Sequence, residues 1–318
     1  MKIFLTGYSG FLGRHLAKAF VDHGCSIRAL LHRHSVSLRD LDGNIEVAWG
    51  SIDDPSVIRD ALIGMDAVVH SAWSFSAPGD DRPTINERAA SIFIEESVEA
   101  GIEKFAFMSS VAVYGMERRD GLKIREDHAG ARGKEERFIY PSEKISVEEM
   151  LLSHDRKGML LGIFRPGQIM DEKKGPAKKT LAIGPWNLGL GIGDGRNLMA
   201  YIHAQDVADA VQRWLLEGRE DGIFNVVPSE MLSARQWLRL WGLHNGMDIR
   251  PVFLPAGVFS LGYLGIGLMK KLLGRRSTSD VDYAIACATR NLCYSNEHLK
   301  STLQWSDTVT MNMARHGL

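Results

Sequence analysis

The sequence predicts an α/β fold, a doubly wound parallel sheet carrying a smaller, mainly helical C-terminal domain. Three observations carry that reading. Over the first half of the chain, short apolar or β-branched runs alternate with amphipathic stretches, the sequence form of a parallel sheet covered on both faces. The glycines Gly7, Gly10 and Gly13 sit between the first run and the first amphipathic stretch. After Arg165 the alternation loosens into a segment rich in Gly, Pro and Lys, and it returns only briefly.

Lys2–Leu5 reads as the first strand and Phe11 to about His23 as the helix that follows. Ser26–Leu31 and Ile45–Ala48 are the second and third strands. Pro55 opens a helix to about Ile63, since a fixed φ and a missing N–H suit proline to the first helical turn. Ala67–His70 is the fourth strand, Ile85–Ala100 a long helix and Lys104–Met108 the fifth strand. A helix from Tyr140 to His154 precedes the sixth strand, Met159–Phe164. Residues 166–199 show little periodicity. Gln205–Leu216 is again a clear helix, and Gly222–Val227 is a strand returning to the sheet. From Pro228 onward, Trp-bearing helices and an apolar stretch show no strand–helix alternation. The expected division is 1–165 with about 203–227 as one domain, and about 166–202 with 228–318 as the other.

A length of 318 residues suits that division, and 45% apolar with 24% charged residues is the make-up of an ordinary globular protein. The formal net charge of −1 offers no basic excess to collect phosphates, so no nucleic-acid partner is expected. Cys25, Cys287 and Cys293 lack metal-ligand spacing, and so sparse a count suits a reducing compartment without a disulfide framework. Met1 leads straight into the first strand with no signal-peptide layout, and the cytoplasm is the expected location. Phe253 to Leu273 approaches membrane-spanning length, yet Pro255, Gly257, Gly262 and Gly265 break it and Lys270 and Lys271 interrupt its end. It reads as a buried or substrate-facing helical region, with membrane-surface contact the lesser reading.

Thr6-Gly7-Tyr8-Ser9-Gly10-Phe11-Leu12-Gly13 joins the first strand to the first helix. There Gly7 permits a tight turn, Gly10 lets the backbone approach a pyrophosphate, and Gly13 lets the helix pack close to the strand. The helix N-terminus adds free N–H groups and the positive end of its dipole. The large domain is therefore Rossmann-type, and its expected ligand is a nicotinamide dinucleotide. An acidic residue ending the second strand would bind the ribose 2′-OH of NAD. Here the strand ends in His32-Arg33-His34, with no carboxylate before Asp40, and a guanidinium suits the 2′-phosphate of NADP. NADP(H) is thus favoured over NAD(H), against the alternative of a solvated basic loop. Asp53 has two readings, acceptor from the adenine amino group or helix N-cap ahead of Pro55, and the roles can be shared between Asp53 and Asp54.

Tyr140-Pro141-Ser142-Glu143-Lys144 places a phenol and an ammonium at i and i+4 on one helix face. A nearby cation favours the phenolate, so the phenol's pKa is expected to fall toward a range useful for proton exchange with an alcohol. A Tyr and a Lys at this spacing are common by chance. Their weight comes from position, in the helix before the sixth strand and following Ser109-Ser110 at the end of the fifth.

Together these parts resemble the extended short-chain dehydrogenase/reductase family, the NAD(P)-dependent epimerase/dehydratase type. Thr6 to Gly13 looks like that family's glycine turn, Asp66 to Ala72 (DAVVHSA) resembles its fourth strand, and Asn86 falls where the family carries an asparagine. Phe107 to Gly115 (FMSSVAVYG), Arg165-Pro166-Gly167, Tyr201 to Ala210 (YIHAQDVADA) and Leu303-Gln304-Trp305 are similar to its later motifs. The resemblance implies Tyr140 as general acid/base, Lys144 holding the nicotinamide ribose, and Ser110 polarising the substrate oxygen. It also implies a cofactor lying along Gly7, Tyr8, Ser9, Gly10, Phe11, Leu12 and Gly13, His32 and Arg33, Ile52 and Asp53, and Ser71, Ala72 and Trp73. Asn86, Ser109, Tyr140, Lys144, Pro166 and Gly167 complete that set. Asn86 has a proton-path role or that of a plain helix-surface residue as alternatives. His70 reads as a residue packed under the cofactor rather than a base, and His203 as structural. A two-fold homodimer through the helices at 85–100 and 140–154 is implied as well.

Two outcomes are open within that resemblance. Nucleotide-sugar epimerases and dehydratases return the hydride and keep their cofactor, whereas ketone reductases and 3β-hydroxysteroid-dehydrogenase-like members make a net transfer. Trp73-Ser74-Phe75 puts large apolar surface where a small-molecule substrate would enter, and a nucleotide-sugar pocket calls for more donors there. Gly193 to Asn197, Tyr201-Ile202-His203, the apolar run after Leu254-Pro255 and Arg290 to Ser295 resemble the sterol-dehydrogenase and dihydroflavonol-reductase branch. The expectation is an NADP-dependent oxidoreductase acting on a ketone or secondary alcohol of a fairly apolar substrate. The alternatives are a nucleotide-sugar epimerase or dehydratase, and a non-catalytic NAD(P)-binding sensor.

Overall fold

The computed structural model describes residues 1–32, 45–75, 83–115, 123–128, 138–174, 181–183, 185–258 and 281–316. At its centre lies a parallel sheet whose strands, numbered within it in chain order, are β1 (Lys2–Thr6), β2 (Ser26–Leu31), β3 (Ile45–Trp49), β4 (Ala67–His70), β5 (Lys104–Met108), β6 (Leu160–Pro166) and β7 (Gly222–Val226). Their spatial order is β7-β6-β5-β4-β1-β2-β3, with every neighbouring pair parallel. The chain winds outward from β1 in one direction, then returns to β4 and winds outward in the other. That reversal parts the C-terminal ends of β1 and β4, and an open sheet of this kind takes its ligand there.

The helices are α1 (Phe11–Asp22), α2 (Pro55–Leu62), α3 (Ile85–Glu99), α4 (Ile139–Ser153), α5 (Ala204–Glu217), α6 (Ala234–His244), α7 (Val281–Thr289), α8 (Glu297–Leu303) and α9 (Thr308–His316). Strand side chains alternate between two cores. Ile3, Leu5, Ala67, Val69, Ala106 and Met108 join α1, α5 and α8 on one face, while Phe4, Val68, Phe105 and Phe107 join α2, α3 and α4 on the other. Burial on both faces makes these strands continuous apolar runs, which is why they are legible in the sequence.

Local chemistry sets the helix starts. Asp54 caps α2, its carboxylate accepting from the N–H groups of Ser56 and Val57, so the cap falls to Asp54 and not to Asp53. Thr84 and Glu87 form a reciprocal capping box that opens α3, and Ser233 and Gln236 do the same for α6. At the other end of α5, the buried Lys104 ammonium donates to the carbonyls of Trp214, Leu215 and Gly218, a cation set on the negative end of the helix dipole.

Residues 166–199, which carry no clear period, form short strands. Gln168–Met170 pairs in parallel with Tyr201–His203, Leu188–Ile192 lies between Leu181–Ile183 and Arg250–Leu254, and Leu198–Met199 pairs with Leu232–Ser233. Strands of two to five residues are too short to display alternation. The region thus carries these short strands beside helices α6 to α9. Buried Asp206 ties its end to the sheet domain, accepting from the N–H groups of Val309 and Thr310 at 3.0 and 2.7 Å. Among the described residues no helix is long and apolar enough to cross a membrane, and most of the apolar run from Phe253 lies outside them.

Close packing of α5 on β6 has a single-residue signature. A Cβ at Gly162 would lie 2.9 Å from three ring atoms of Trp214, which is itself buried and unable to retreat. Gly162→Ala is therefore expected to cost about 1–3 kcal/mol in a chemical-denaturation experiment, and an unchanged midpoint would contradict this packing.

Candidate active site

The glycine turn folds onto the end of β4. Gly7 has φ of +78°, and a Cβ there would meet the Ala72 nitrogen at 2.7 Å and the Ser71 carbonyl carbon at 2.8 Å. A Cβ at Gly13 would stand 2.0 Å from the Gly7 oxygen, so no side chain fits at either position. Gly10 donates to the Gly7 carbonyl at 2.9 Å and is the N-cap of α1, with no side-chain cap and no acidic residue in the first turn. Thr6 locks the other side: its Oγ1 accepts from the N–H groups of Ser71 and Ala72 and contacts His70 Nδ1 at 2.9 Å. What remains is a cradle of bare backbone at an uncapped helix start, and it fits the pyrophosphate of a dinucleotide.

Around the cradle, Tyr8 is buried, Ser9 is exposed, and Phe11 and Leu12 are half-buried. The Lys174 ammonium lies 3.9 Å above the Phe11 ring. His32 is exposed just after β2, while Arg33 lies outside the described residues. Beyond the C-terminal end of β3, Ile52 and Asp53 are half-buried, and Asp53 accepts from Ser51 and faces Arg88 at 3.5 Å. The Ser51 hydrogen bond holds the Asp53 carboxyl below its ordinary range. Asn86 is no surface residue: it is buried, bonded to the backbone N–H and carbonyl of Ser74 and to Glu143, and so braces the loop after β4 against α4. Pro166 ends β6, and Gly167 passes so close to Ala200 that a Cβ would stand 2.1 Å from its oxygen.

Ser110 follows β5 and caps a single 3₁₀ turn, Val111–Tyr114, through its Oγ and the Ala112 N–H. Its hydroxyl lies beside the phenol of Tyr140, on the first turn of α4, near enough to lower that phenol's pKa. The phenol also meets Trp73 edge-on, ring centroids 6.1 Å apart, and Phe75 stacks on it at 5.8 Å. Lys144, one turn further along α4, is buried; its Nζ donates to the Met108 carbonyl at 2.6 Å and sits 3.4 Å from the centroid of Trp73. Ser110, Tyr140, Lys144 and Trp73 are thus brought together from three separate stretches of chain.

The electrostatics differ from the sequence expectation. Burial pushes the Tyr140 phenol up from its ordinary value, and the Ser110 hydroxyl pulls it part of the way back. The expected lowering by Lys144 is not met, because that ammonium is turned to the Met108 carbonyl and the Trp73 face. Burial also takes Lys144 well below the ordinary lysine range, with the Glu148 and Glu143 carboxylates working against that shift. Ser109, named on the cofactor side, is buried, and its hydroxyl donates to Glu148. Glu148 is a residue that motif reading passed over, although it stands at i+4 from Lys144 on the same helical face.

Beside Ser110 lies an open cleft of about 100 Å³. Val111, Leu198, Met199 and Leu292 give it apolar walls, and Gln168, Arg290 and Tyr294 contribute polar groups. His203 lies elsewhere, capping α5 through the Gln205 N–H.

His70 supplies a pH test. It is buried between Phe93 and Phe107, and burial, reinforced by the charge of Lys144, pushes its imidazole down to about 3. The unfolded chain protonates near 6.5, so this residue's contribution to stability is complete above that pH and declines as pH falls toward 3. The decline is about 1.4 kcal/mol per pH unit for one proton. Urea unfolding between about pH 7 and about pH 4.5 should show that component in the wild type and lack it in His70→Asn. Equal slopes in the two proteins would rule it out.

Comparison with known proteins accords with this geometry. Over 315 residues the chain is 26% identical to a 4-hydroxy-2-methyl-3-oxo-4-farnesyl-3,4-dihydroquinoline-1-oxide ketoreductase of Stigmatella aurantiaca, covering 98% of this chain and 93% of that one. It is 26% identical to a UDP-glucose 4-epimerase of Neisseria gonorrhoeae, with 78% and 84% covered. In structure it is similar to a short-chain dehydrogenase/reductase superfamily protein of Agrobacterium tumefaciens solved with bound NAD, at a TM-score of 0.73, 22% identity and coverage of 99% and 94%. Residues 3–226 match the NAD dependent epimerase/dehydratase family, and with its glycine cradle and parallel sheet the chain belongs to that family of NAD(P)-dependent enzymes.

Proposed function

We propose that this enzyme transfers hydride to or from a ketone or secondary alcohol on a fairly apolar substrate, with NADP(H) favoured over NAD(H). The observation that carries the reading is the Tyr140 phenol walled by Trp73 and Phe75, with the Ser110 hydroxyl beside it. A dinucleotide would be held by Gly7 to Gly13 and, when bound, would supply the hydride donor or acceptor. Tyr140 exchanges a proton at its phenolic oxygen with the substrate oxygen. Ser110 accepts from the Ala112 N–H, and its own hydroxyl hydrogen, directed to the phenol, is assigned to polarise that same oxygen when substrate is bound. Lys144 is assigned to the nicotinamide ribose, and Asp53 to the adenosine half.

An apolar substrate is supported by Phe75, which is 82% exposed while stacked on Tyr140, and by the apolar walls of the cleft that starts at Ser110. Apart from Val111, those walls come from residues 166–202 and from beyond 228, the two pieces assigned to a substrate-binding domain. The ketoreductase relative, whose name gives it a farnesyl-bearing substrate, points the same way. The epimerase relative supports the competing outcome, a sugar nucleotide interconverted with no net use of cofactor.

Two measurements test the reductase reading, the first against an epimerase and the second against a non-catalytic binding module. NADPH consumption is expected with apolar ketones and not with UDP-glucose; conversion of UDP-glucose without net oxidation would overturn the reductase reading. Tyr140→Phe is expected to lower kcat about 10²- to 10⁴-fold with cofactor affinity retained, whereas a binding module would be indifferent to it. For the cofactor, Arg33→Ala should weaken NADPH by roughly 1.5–3 kcal/mol in a binding titration and leave NADH little changed. Equal losses for both would remove Arg33 from the 2′-phosphate.

A further inference from the structure

We propose that Glu148 is a positioning residue that sets Ser110 against Tyr140, acting through the hydroxyl of Ser109. The inference rests on the reading of Ser110 and Tyr140 as the reacting pair. Two side-chain ties join the end of β5 to α4: Lys144 to the Met108 carbonyl, and Ser109 to the Glu148 carboxylate. Lys144 is the residue assigned to a ribose, so its tie competes with that duty. The tie through Ser109 does not.

Glu148 is a fixed point because it cannot turn. Arg165 grips both of its oxygens, Nε to Oε1 at 3.0 Å and Nη2 to Oε2 at 2.5 Å. Arg165 is held in turn by the Tyr114 hydroxyl at 2.7 Å and the Glu126 carbonyl at 3.2 Å, and that hydroxyl donates to Asn225 on β7. Ser109, Glu148 and Arg165 are all buried. A buried ion pair is a poor source of net stability, but it is a stiff one when every donor has an acceptor.

Backbone geometry passes this stiffness to Ser110. The Ser109 N–H is spent on the Phe164 carbonyl at 2.7 Å, and Ser110 is extended, with φ of −162° and ψ of 150°. In extended chain successive side chains point to opposite sides. Holding Ser109 inward on Glu148 therefore turns Ser110 outward, to the phenol.

The test is Ser109→Ala, which leaves Glu148 paired with Arg165 and so strands no buried charge. In the purified full-length protein, kcat with the ketone that is turned over fastest should fall on the order of 10- to 100-fold, the cost of a small misplacement. KM and NADPH affinity should hardly move, and Ser109→Thr, which restores the hydroxyl, should recover kcat. A second reading needs no substrate. With tyrosine carbon-13 labelled at Cζ, the Tyr140 signal, assigned by its loss in Tyr140→Phe, should shift in Ser109→Ala as it does in Ser110→Ala and return in Ser109→Thr. If no ketone is turned over, the oxidoreductase reading fails on its own and the Tyr140 signal still decides this proposal. Should the alanine variant not fold, Ser109→Cys takes its place in both measurements. A lowered melting temperature with kcat and the Tyr140 signal unchanged would make Ser109 and Glu148 merely structural and overturn the proposal.

Discussion

Where β1 and β4 part, the backbone of Gly7 runs so close to Ser71 and Ala72 that a side chain at residue 7 would overlap their main-chain atoms, and Gly13 is pressed onto Gly7 more tightly still. The rest of the site depends on this approach. It fixes the start of α1 over the crevice, leaves main-chain amides as the surface there, and places the Thr6 hydroxyl where it accepts from the first residues after β4. Those residues lead directly to Trp73 and Phe75, the aromatic neighbours of Tyr140. One backbone contact at the switch point thus connects a cradle for phosphates to the wall around a phenol.

Beneath this, the chain buries more charge than a plain apolar core would need, and each buried ion has stated partners. Lys104 sits on three carbonyls at the end of α5, Arg165 grips Glu148, and Asp206 accepts from the start of α9. None of these is a cheap way to gain stability. Each joins elements distant in sequence, and the Arg165 network spans β5, α4, β6 and β7 directly under Ser110. Tyr140 and Lys144 lie beside this scaffold with both pKa values displaced toward their neutral forms by burial.

How much of this was legible in the sequence varied with the kind of signal. The sheet strands are read within a residue or so because burial on two faces makes them unbroken apolar runs, and the glycine turn stands out because nothing larger fits it. The short strands between Gln168 and His203 left no trace, since a three-residue strand has no period to detect. Asp53 and Asp54 were interchangeable on paper, and only hydrogen-bond geometry gave the cap to Asp54. Asn86 looked as much like a surface residue as a site residue until α4 was seen to pack over it.

By itself, then, the sequence determined the doubly wound sheet, the dinucleotide cradle and the placing of Tyr140 and Lys144 one turn apart on a helix, because periodicity, glycine sterics and helical spacing are local properties. The tertiary structure decided where the polar groups point: Lys144 onto Met108 and Trp73, and Ser109 onto Glu148. Those outcomes depend on which buried partner each group meets across the fold, and desolvation and hydrogen-bond competition between distant segments leave no mark on the order of residues.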